Sequence, residues 1–517
     1  MDSAVALIAA AHVGEKVGAI AAALLAAAAL LSAGRPTLAR LRALAIIGAL
    51  ALTPILLLSD IWGSPQLRPL RHHPALGLAA AAIGIVAIAL LAALCVRRPR
   101  VLPVLAVGAL PFRVPISSGG STSNLLVPLY VIVAAGALAY VVELLRVREG
   151  AEDVDGESTA TTGELTGEPA IGWLEVSLMG LVVLYAVQAT YSGDFSKALD
   201  GLVFFYVPFT LLLVLLRRLE WDRRLLRRCF GVIVLLALAF VAVGFLEYAR
   251  HKLLLNPKVI SSNMLESYFR VNSLFFDPNI YGRFLALVML ATCAAMLSAS
   301  RRREVAAAAL VLLLLWGGLM TSISQSSIAA LLLGLAVIAA LRWSVRRTLA
   351  ACGALALAGG VFLLVAGHTI RFDLGSAKAA DKSTSGRYTL VKDGLRLFGD
   401  KPWTGYGPGA FALEFRRHQH GSTETAASAS HTIPITVAAE QGVFGLLLYL
   451  ALLGFCFARL FGGVARGPPA RVAVAAAFAA LVLHTMLYAD FLEDPVTWAL
   501  LAVGTALAAA PGRWSTT

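Results

Sequence analysis

The chain has 517 residues, of which 59% are hydrophobic and 14% charged, with a mean hydropathy of +0.80 and a net charge of +13. Soluble domains lie nearer half apolar and a quarter charged, so this composition excludes a soluble globular protein and fits a polytopic membrane protein. The basic excess does not imply a nucleic-acid partner, because the arginines cluster between apolar stretches, as the positive-inside rule demands.

Apolar stretches suited to crossing about 30 Å of hydrocarbon recur along the chain. The first seven lie at 15–33, 41–59, 75–96, 100–112, 124–145, 170–189 and 199–216. Five more follow at 228–248, 280–299, 304–321, 325–342 and 347–368, and the last three at 433–458, 470–490 and 495–510. The expected fold class is therefore all-α, a polytopic membrane bundle of about 12 to 15 transmembrane helices with a large extracytoplasmic loop between late helices. The fourth stretch is short and carries Pro103 and Pro111, which suits a tilted, broken or re-entrant segment. The N-terminus has no basic residue ahead of its apolar run, unlike a cleaved signal peptide.

Arginines mark alternate connections: Arg35/Arg40/Arg42, Arg97/Arg98/Arg100, Arg146/Arg148, six from Arg217 to Arg228, and three further groups at 301–303, 342–347 and 459–471. These should be cytoplasmic, which puts the N-terminus outside and the C-terminus inside. The chain divides accordingly into N-terminal helices (1–148), an acidic flexible linker on the cytoplasmic side (149–169), central helices (170–264), a region richest in polar motifs (265–460, including an outer loop at 369–432), and C-terminal helices (461–517). Two outer loops depart from the charge rule. The segment from Arg250 to Arg283 carries five Lys/Arg and 369–432 carries nine, which reads either as solvated charge or as an electropositive site for an anionic substrate. The five cysteines all lie in or beside apolar runs, so neither a disulfide framework nor a zinc set is expected.

Four constellations can carry chemistry. In RVNSLFFDPNIYGR, Asp277 caps a helix that Pro278 opens, with Asn279 next and Arg270 and Arg283 flanking; helix N-termini attract phosphate, although a capped helix with snorkelling arginines has the same sequence. TSISQSSIAALLLGL, containing Gln325, makes a tight outward hairpin of small hydroxyl residues, equally suited to close helix packing. Between Arg387 and Phe398 the apolar spacing predicts a short amphipathic surface helix with a basic edge, ended by Pro402 and the glycines of GYGPG. Arg387 has the planar donor fork that grips a diphosphate. His431 precedes a helix opened by Pro434 and containing Glu440 and Gly442; the histidine can act as general base, and a carboxylate inside a span is either functional or bonded to a neighbouring helix or loop. Asp490, Glu493 and Asp494, on the last outer hairpin, either orient a sugar hydroxyl or are solvated. His418 and His420 lack a third ligand, and no metal site is expected. Walker, GxGxxG, HExxH and GxSxG motifs are absent, which counts against ATP-driven transport and serine hydrolysis.

The order of these motifs resembles the O-antigen ligase/O-antigen polymerase superfamily of bacterial membrane glycosyltransferases. It runs from Arg…F-x-D-P-N-x-x-G through a Ser-rich hairpin to S-G-R…P-x-x-G-x-G-x-x-x-F, and then to a histidine before a helix with E-x-G-x-x-G. The match covers roughly 265–450, and the N-terminal spans match only in character. The resemblance implies a GT-C-like helical fold and transfer of a glycan from an undecaprenyl-diphosphate carrier to the hydroxyl of a glycan or glycolipid acceptor. The reaction would run at the outer face of the cytoplasmic membrane, without metal or other cofactor, and usually with inversion. By the same resemblance Arg387 binds the diphosphate, with Arg270 and Arg283 as further cations; His431 acts on the acceptor hydroxyl; and Glu440 and Gly442 shape the helix that positions it. Asp277, Asn279 and Gln325 support the site. The chain departs from the family at Thr432, where asparagine is usual, and at Gln325, where arginine often follows the serine. The remaining alternatives are a polymerase using the same donor, a lipid-linked oligosaccharide flippase or transporter, and a non-catalytic scaffold; no clear internal repeat favours a transporter.

Overall fold

The computed structural model describes residues 2–64, 67–118, 121–152, 168–254, 269–365, 387–418, 432–488 and 490–509. The expected apolar stretches appear as helices: α1 (Asp2–Leu31), α2 (Ala39–Ile61), α3 (Pro74–Arg97), α4 (Val101–Ala109), α5 (Val127–Glu152), α6 (Trp173–Ala189), α7 (Phe195–Arg217) and α8 (Arg223–Arg250). The later ones are α9 (Pro278–Met296), α10 (Arg302–Ser322), α11 (Gln325–Arg342), α12 (Val345–Val365), α15 (Ile433–Phe461), α16 (Pro469–Leu487) and α17 (Pro495–Ala509). Two short helices, α13 (Arg387–Asp400) and α14 (Phe411–His418), lie between α12 and α15. Among the described residues, eleven helices are long and apolar enough to cross a membrane, and α6 and α17 are shorter apolar helices. The protein is a polytopic all-α membrane protein.

The fourth stretch is where the structure departs most from simple spanning. α4 has nine residues, about 14 Å of helix at 1.5 Å per residue, well short of a bilayer. The chain then forms a small antiparallel hairpin, β1 (Val114–Ser118) with β2 (Ser121–Leu125), in which Val114 pairs with Leu125. Each strand of a two-stranded hairpin keeps one row of backbone groups unpaired, so this stretch needs water or protein rather than lipid beside it.

Helix starts follow local chemistry. Asp194 accepts from Lys197 N–H, Asp222 from Leu225 N–H and Asp277 from Asn279 N–H, and Ser324 caps α11. Two apolar cores result. One gathers α1, α2, α4–α7, α15 and α17, and the other gathers α8–α11 and α16. α7 is the axis of the first, with 94% of its span window buried, whereas α3 has 11% and presents its sides outward. α7 also contains a π-helical turn at Gly201–Tyr206, where Tyr130 donates to Phe204 O at 2.7 Å.

Candidate functional site at one end of the bundle

The connections after α6, α8, α10 and α16, and the one before α15, converge at one end of the bundle. Ser192 Oγ donates to Pro408 O (2.7 Å), Arg270 Nε to Ser322 O (3.1 Å), and Thr432 Oγ1 to Met486 O (3.3 Å), tying these loops together. Two polar clusters form there, with the 488–494 turn between them.

The first cluster is built on the start of α9. Asp277 Oδ1 accepts from Asn279 N–H at 2.6 Å, and Asn279 Oδ1 accepts from Arg270 Nη2 (3.1 Å) and Ser324 Oγ (2.9 Å). Ser327 Oγ donates to Asn279 O (3.1 Å), and His484 Nε2 on α16 lies 3.2 and 3.3 Å from the Ser326 and Ser327 hydroxyls. The helix surface that receives this serine hairpin must be bare: a Cβ on Gly282 would lie 2.8 Å from Ser327 Oγ. Tyr488, just beyond α16, hydrogen-bonds the Asp277 carboxylate. Arg283, one turn into α9 and 2% exposed, pairs with Asp494 at 2.5 Å; Asp494 Oδ1 in turn accepts from Val496 N–H (2.9 Å) at the start of α17. Asp494-Pro495 therefore repeats the capping arrangement of Asp277-Pro278. The structure thus brings Arg270, Asp277 and Asn279 into one network with the hairpin, while Arg283, in the next turn of α9, pairs with Asp494 instead. Gln325 is exposed at the start of α11 beside it.

The second cluster is a loop threaded into a break in α15. Gly442 has φ 66° and ψ −163°, a conformation suited to glycine, and a Cβ there would lie 2.3 Å from Trp403 O. The break leaves backbone groups that the 402–407 segment takes up. Val443 N–H donates to Pro402 O (2.7 Å), Tyr406 N–H to Ala439 O (3.1 Å), and Gly407 N–H to Glu440 O (2.8 Å). Glu440 Oε1 accepts from Phe411 N–H at 3.0 Å, and the carboxylate also accepts from Gly409, so it caps α14. α6 supports the junction through Gln188, which donates to Gln441 O at 3.1 Å, and Tyr191, which donates to Thr404 O at 2.7 Å in the connection that follows. The amphipathic helix expected from Arg387 is α13. It buries Leu390 and Leu397 against Phe411, Phe415 and Ala439 and leaves Leu395 exposed. Arg387 is its first residue. His431 lies outside the described residues; its neighbour Thr432 is anchored to the end of α16.

The turn between the clusters is acidic. Burial and the Asp490 carboxylate push Glu493 up to about 7, against the pull of Lys197 and Arg113. Burial likewise raises Asp490, with Arg283 and Arg113 opposing. Sequence reading missed Arg113, His484, Tyr488 and the buried state of Asp494. The Asp-Pro dipeptide was a usable signal for Asp494, and a histidine inside an apolar run was one for His484.

Residues 309–450 match the family model for O-antigen ligase. This segment belongs to the O-antigen ligase superfamily. The ligase segment holds the serine hairpin, α13, α14 and the broken start of α15, while Arg270, Asp277, Asn279 and Arg283 lie outside it; of these, Arg270 and Asn279 are bonded to its hairpin. No curated protein matches the chain. Family and fold together support a membrane-bound, O-antigen ligase-like activity with a lipid-linked glycan donor and a glycan acceptor.

Proposed function

We propose that the protein transfers a glycan from an undecaprenyl-diphosphate carrier to the hydroxyl of a glycan or glycolipid acceptor at the outer face of the cytoplasmic membrane. The observation that carries this reading is the convergence at one end of the bundle. There the ligase segment's hairpin bonds Arg270 of the α8–α9 connection, and its loop is seated in the α15 break at the same end of the bundle. In this reading Arg387, Arg270 and Arg283 neutralise the diphosphate as it leaves. A lipid diphosphate is already a good leaving group once its developing charge is met by fixed donors, so no nucleotide is required. His431 takes the proton of the acceptor hydroxyl as that oxygen attacks the anomeric carbon, and the carrier departs with its diphosphate. Glu440 and Gly442 contribute by shaping the helix that follows His431: Glu440 caps α14, and Gly442 makes the break in α15 that seats the loop.

The test is reconstituted transfer in proteoliposomes, following release of the carrier diphosphate. Wild type should transfer in the presence of EDTA. Arg387→Ala and His431→Ala should each lower the rate by at least about a hundredfold, the scale of losing an electrostatic stabiliser or a general base, with folding unchanged. Movement of intact lipid-linked glycan across the bilayer without cleavage would overturn the transferase in favour of a transporter.

A further inference from the structure

One buried polar side chain at the site end has no part in the chemistry proposed above. His484 lies in the last turn of α16, fully buried, beyond the segment matched to the ligase family. Its Nε2 stands 3.2 Å from Ser326 Oγ and 3.3 Å from Ser327 Oγ. Tyr488, just past the helix and with its ring 5.7 Å from the imidazole, bonds the Asp277 carboxylate. The end of α16 therefore bears both on the start of α9 and on the serine hairpin packed over it.

Counting hydrogens gives this contact a direction. A guanidinium has only donors, so the bond from Arg270 fixes the Asn279 amide with its oxygen toward Arg270 and Ser324. The Ser324 hydrogen is spent on that oxygen, at 2.9 Å. The Ser327 hydrogen goes to Asn279 O (3.1 Å) or to Ser324 Oγ (2.8 Å), and in neither case to the histidine. The bond between Ser327 and His484 then takes its hydrogen from the ring, so Nε2 is a protonated nitrogen. Donors run one way, from His484 to Ser327 and from the hairpin to Asn279, where Arg270 meets them at the same amide oxygen. The seat has little slack: a Cβ on Gly282 would lie 3.0 Å from both Ser322 Oγ and Ser324 Cβ. Arg270 Nε also donates to this hairpin, at Ser322 O (3.1 Å).

We propose that His484 is a positioning residue for the transfer: its Nε2–H fixes the hydroxyls of the hairpin, and through Ser324 and Asn279 the hairpin sets where the Arg270 guanidinium stands. The inference rests on the transferase reading in one respect, the assignment of Arg270 to the leaving diphosphate. Packing does not account for an imidazole here, since an apolar ring of similar volume would fill the same place without a polar group to bury. What the imidazole adds is a donor. A buried hydroxyl whose own hydrogen is spent needs one to complete its bonds, and a network completed in this way holds a single arrangement. A charge displaced by about 1 Å from its productive place loses much of its effect on rate, which is how a residue that touches neither donor nor acceptor governs transfer.

The experiment is a double-mutant cycle between His484 and Arg270 in the full chain. It is read twice, by reconstituted transfer and by retention of undecaprenyl diphosphate in native mass spectrometry. His484→Phe keeps a ring and removes the donor; it should lower kcat about tenfold with little change in the KM for the acceptor. His484→Gln, whose amide donates from a similar reach, should recover most of that loss. Ser327→Ala cuts the same chain one bond nearer Arg270 and should match His484→Phe, so it carries the test if the phenylalanine variant does not fold. Arg270→Ala should lose more, and adding His484→Phe to it should cost little further, because the histidine acts through the arginine. A histidine that only supports the fold gives losses that multiply in the double variant and that follow thermal stability, and that pattern overturns the inference. Wild-type rate and retention in both His484→Phe and Ser327→Ala overturn it as well. If Arg270→Ala changes neither reading, His484 has nothing to position and the inference falls, while Arg387-dependent transfer would still uphold the transferase. A protein that performs no transfer, yet shows the non-additive loss of retention and its rescue by glutamine, would uphold the positioning role and sink the transferase reading.

Discussion

The two ends of the helix bundle are both rich in arginine, yet they use it differently. At the end away from the site, Arg42 pairs with Glu168 at 3.0 Å and also donates to Tyr140 Oη and to Ser32 O. Arg217 pairs with Glu175 at 3.0 Å and donates to Pro169 O and Ala170 O, and Arg218 pairs with Glu143 at 2.6 Å over the Tyr140 ring. These bonds pin the end of the acidic linker and the residues that follow it onto α2, α5 and α7. Arg42 and Arg218 keep only an Nε without a partner. At the site end Arg113 has a ring beneath it and no ion pair among the described residues, and Arg283 has a single carboxylate. Net positive charge thus says little about binding. What separates fastening from recognition is how many donors the fold has already satisfied.

The sharpest way to break that contrast is to cut one cation at each end. Glu175→Ala strands Arg217 in a site where both side chains are about 97–98% buried, so it should destabilise the protein by about 3–5 kcal/mol in thermal or denaturant unfolding. Arg113→Ala removes a ring contact and no described ion pair, so it should change stability by no more than about 1 kcal/mol. Similar losses of stability from both variants would mean that Arg113 is a fastener too.

A smaller effect is expected at the loop junction. Gly442→Ala puts a Cβ at φ 66° and against Trp403 O, which should cost about 1–3 kcal/mol locally and release the 402–407 segment from the α15 break. Transfer should fall further than global stability does, with limited proteolysis newly cutting between α13 and α15. A variant with full activity would show that the loop's seat in the break does not position the site.

Much of this architecture was readable in the sequence because local chemistry dictates it. The apolar runs became helices, Asp277-Pro278 capped α9, and the spacing from Arg387 to Phe398 became α13. What escaped reading depends on distant partners. Helical periodicity runs straight through Gly442, and only the carbonyl of Trp403, far back in the chain, reveals a break. Glu440 read either as functional or as bonded to a neighbouring helix or loop, and which loop it holds, the backbone that opens α14, was not legible. The hairpin at 114–125 follows an apolar run that resembles a span until the second proline, and strand pairing is not a property of either strand alone. Arg113 gave no signal at all, since its interest lies in the partners it lacks.

The finest test of the comparison is titration, because the two ends should respond to pH with opposite sign. Burial alone would raise the Glu168 carboxyl, but Tyr140, Arg42 and the Gly34 N–H together hold it below its ordinary 4.5. Its contribution to stability is therefore present above that value and lost as pH falls through the lowered one. Glu493 is the reverse: raised from 4.5 to about 7, its contribution is complete below pH 4.5 and is lost as pH rises through about 7. Unfolding measured from acid to mildly basic pH should show an acid limb that Glu168→Gln removes and a decline toward neutrality that Glu493→Gln flattens. The second effect should be about 1 kcal/mol, reduced by the partial exposure of the side chain. A neutral limb that persists in Glu493→Gln would assign the titration to Asp490 or to a group outside the turn, and the site end would then owe its pH response to something other than the crowding of carboxylates beside Arg113.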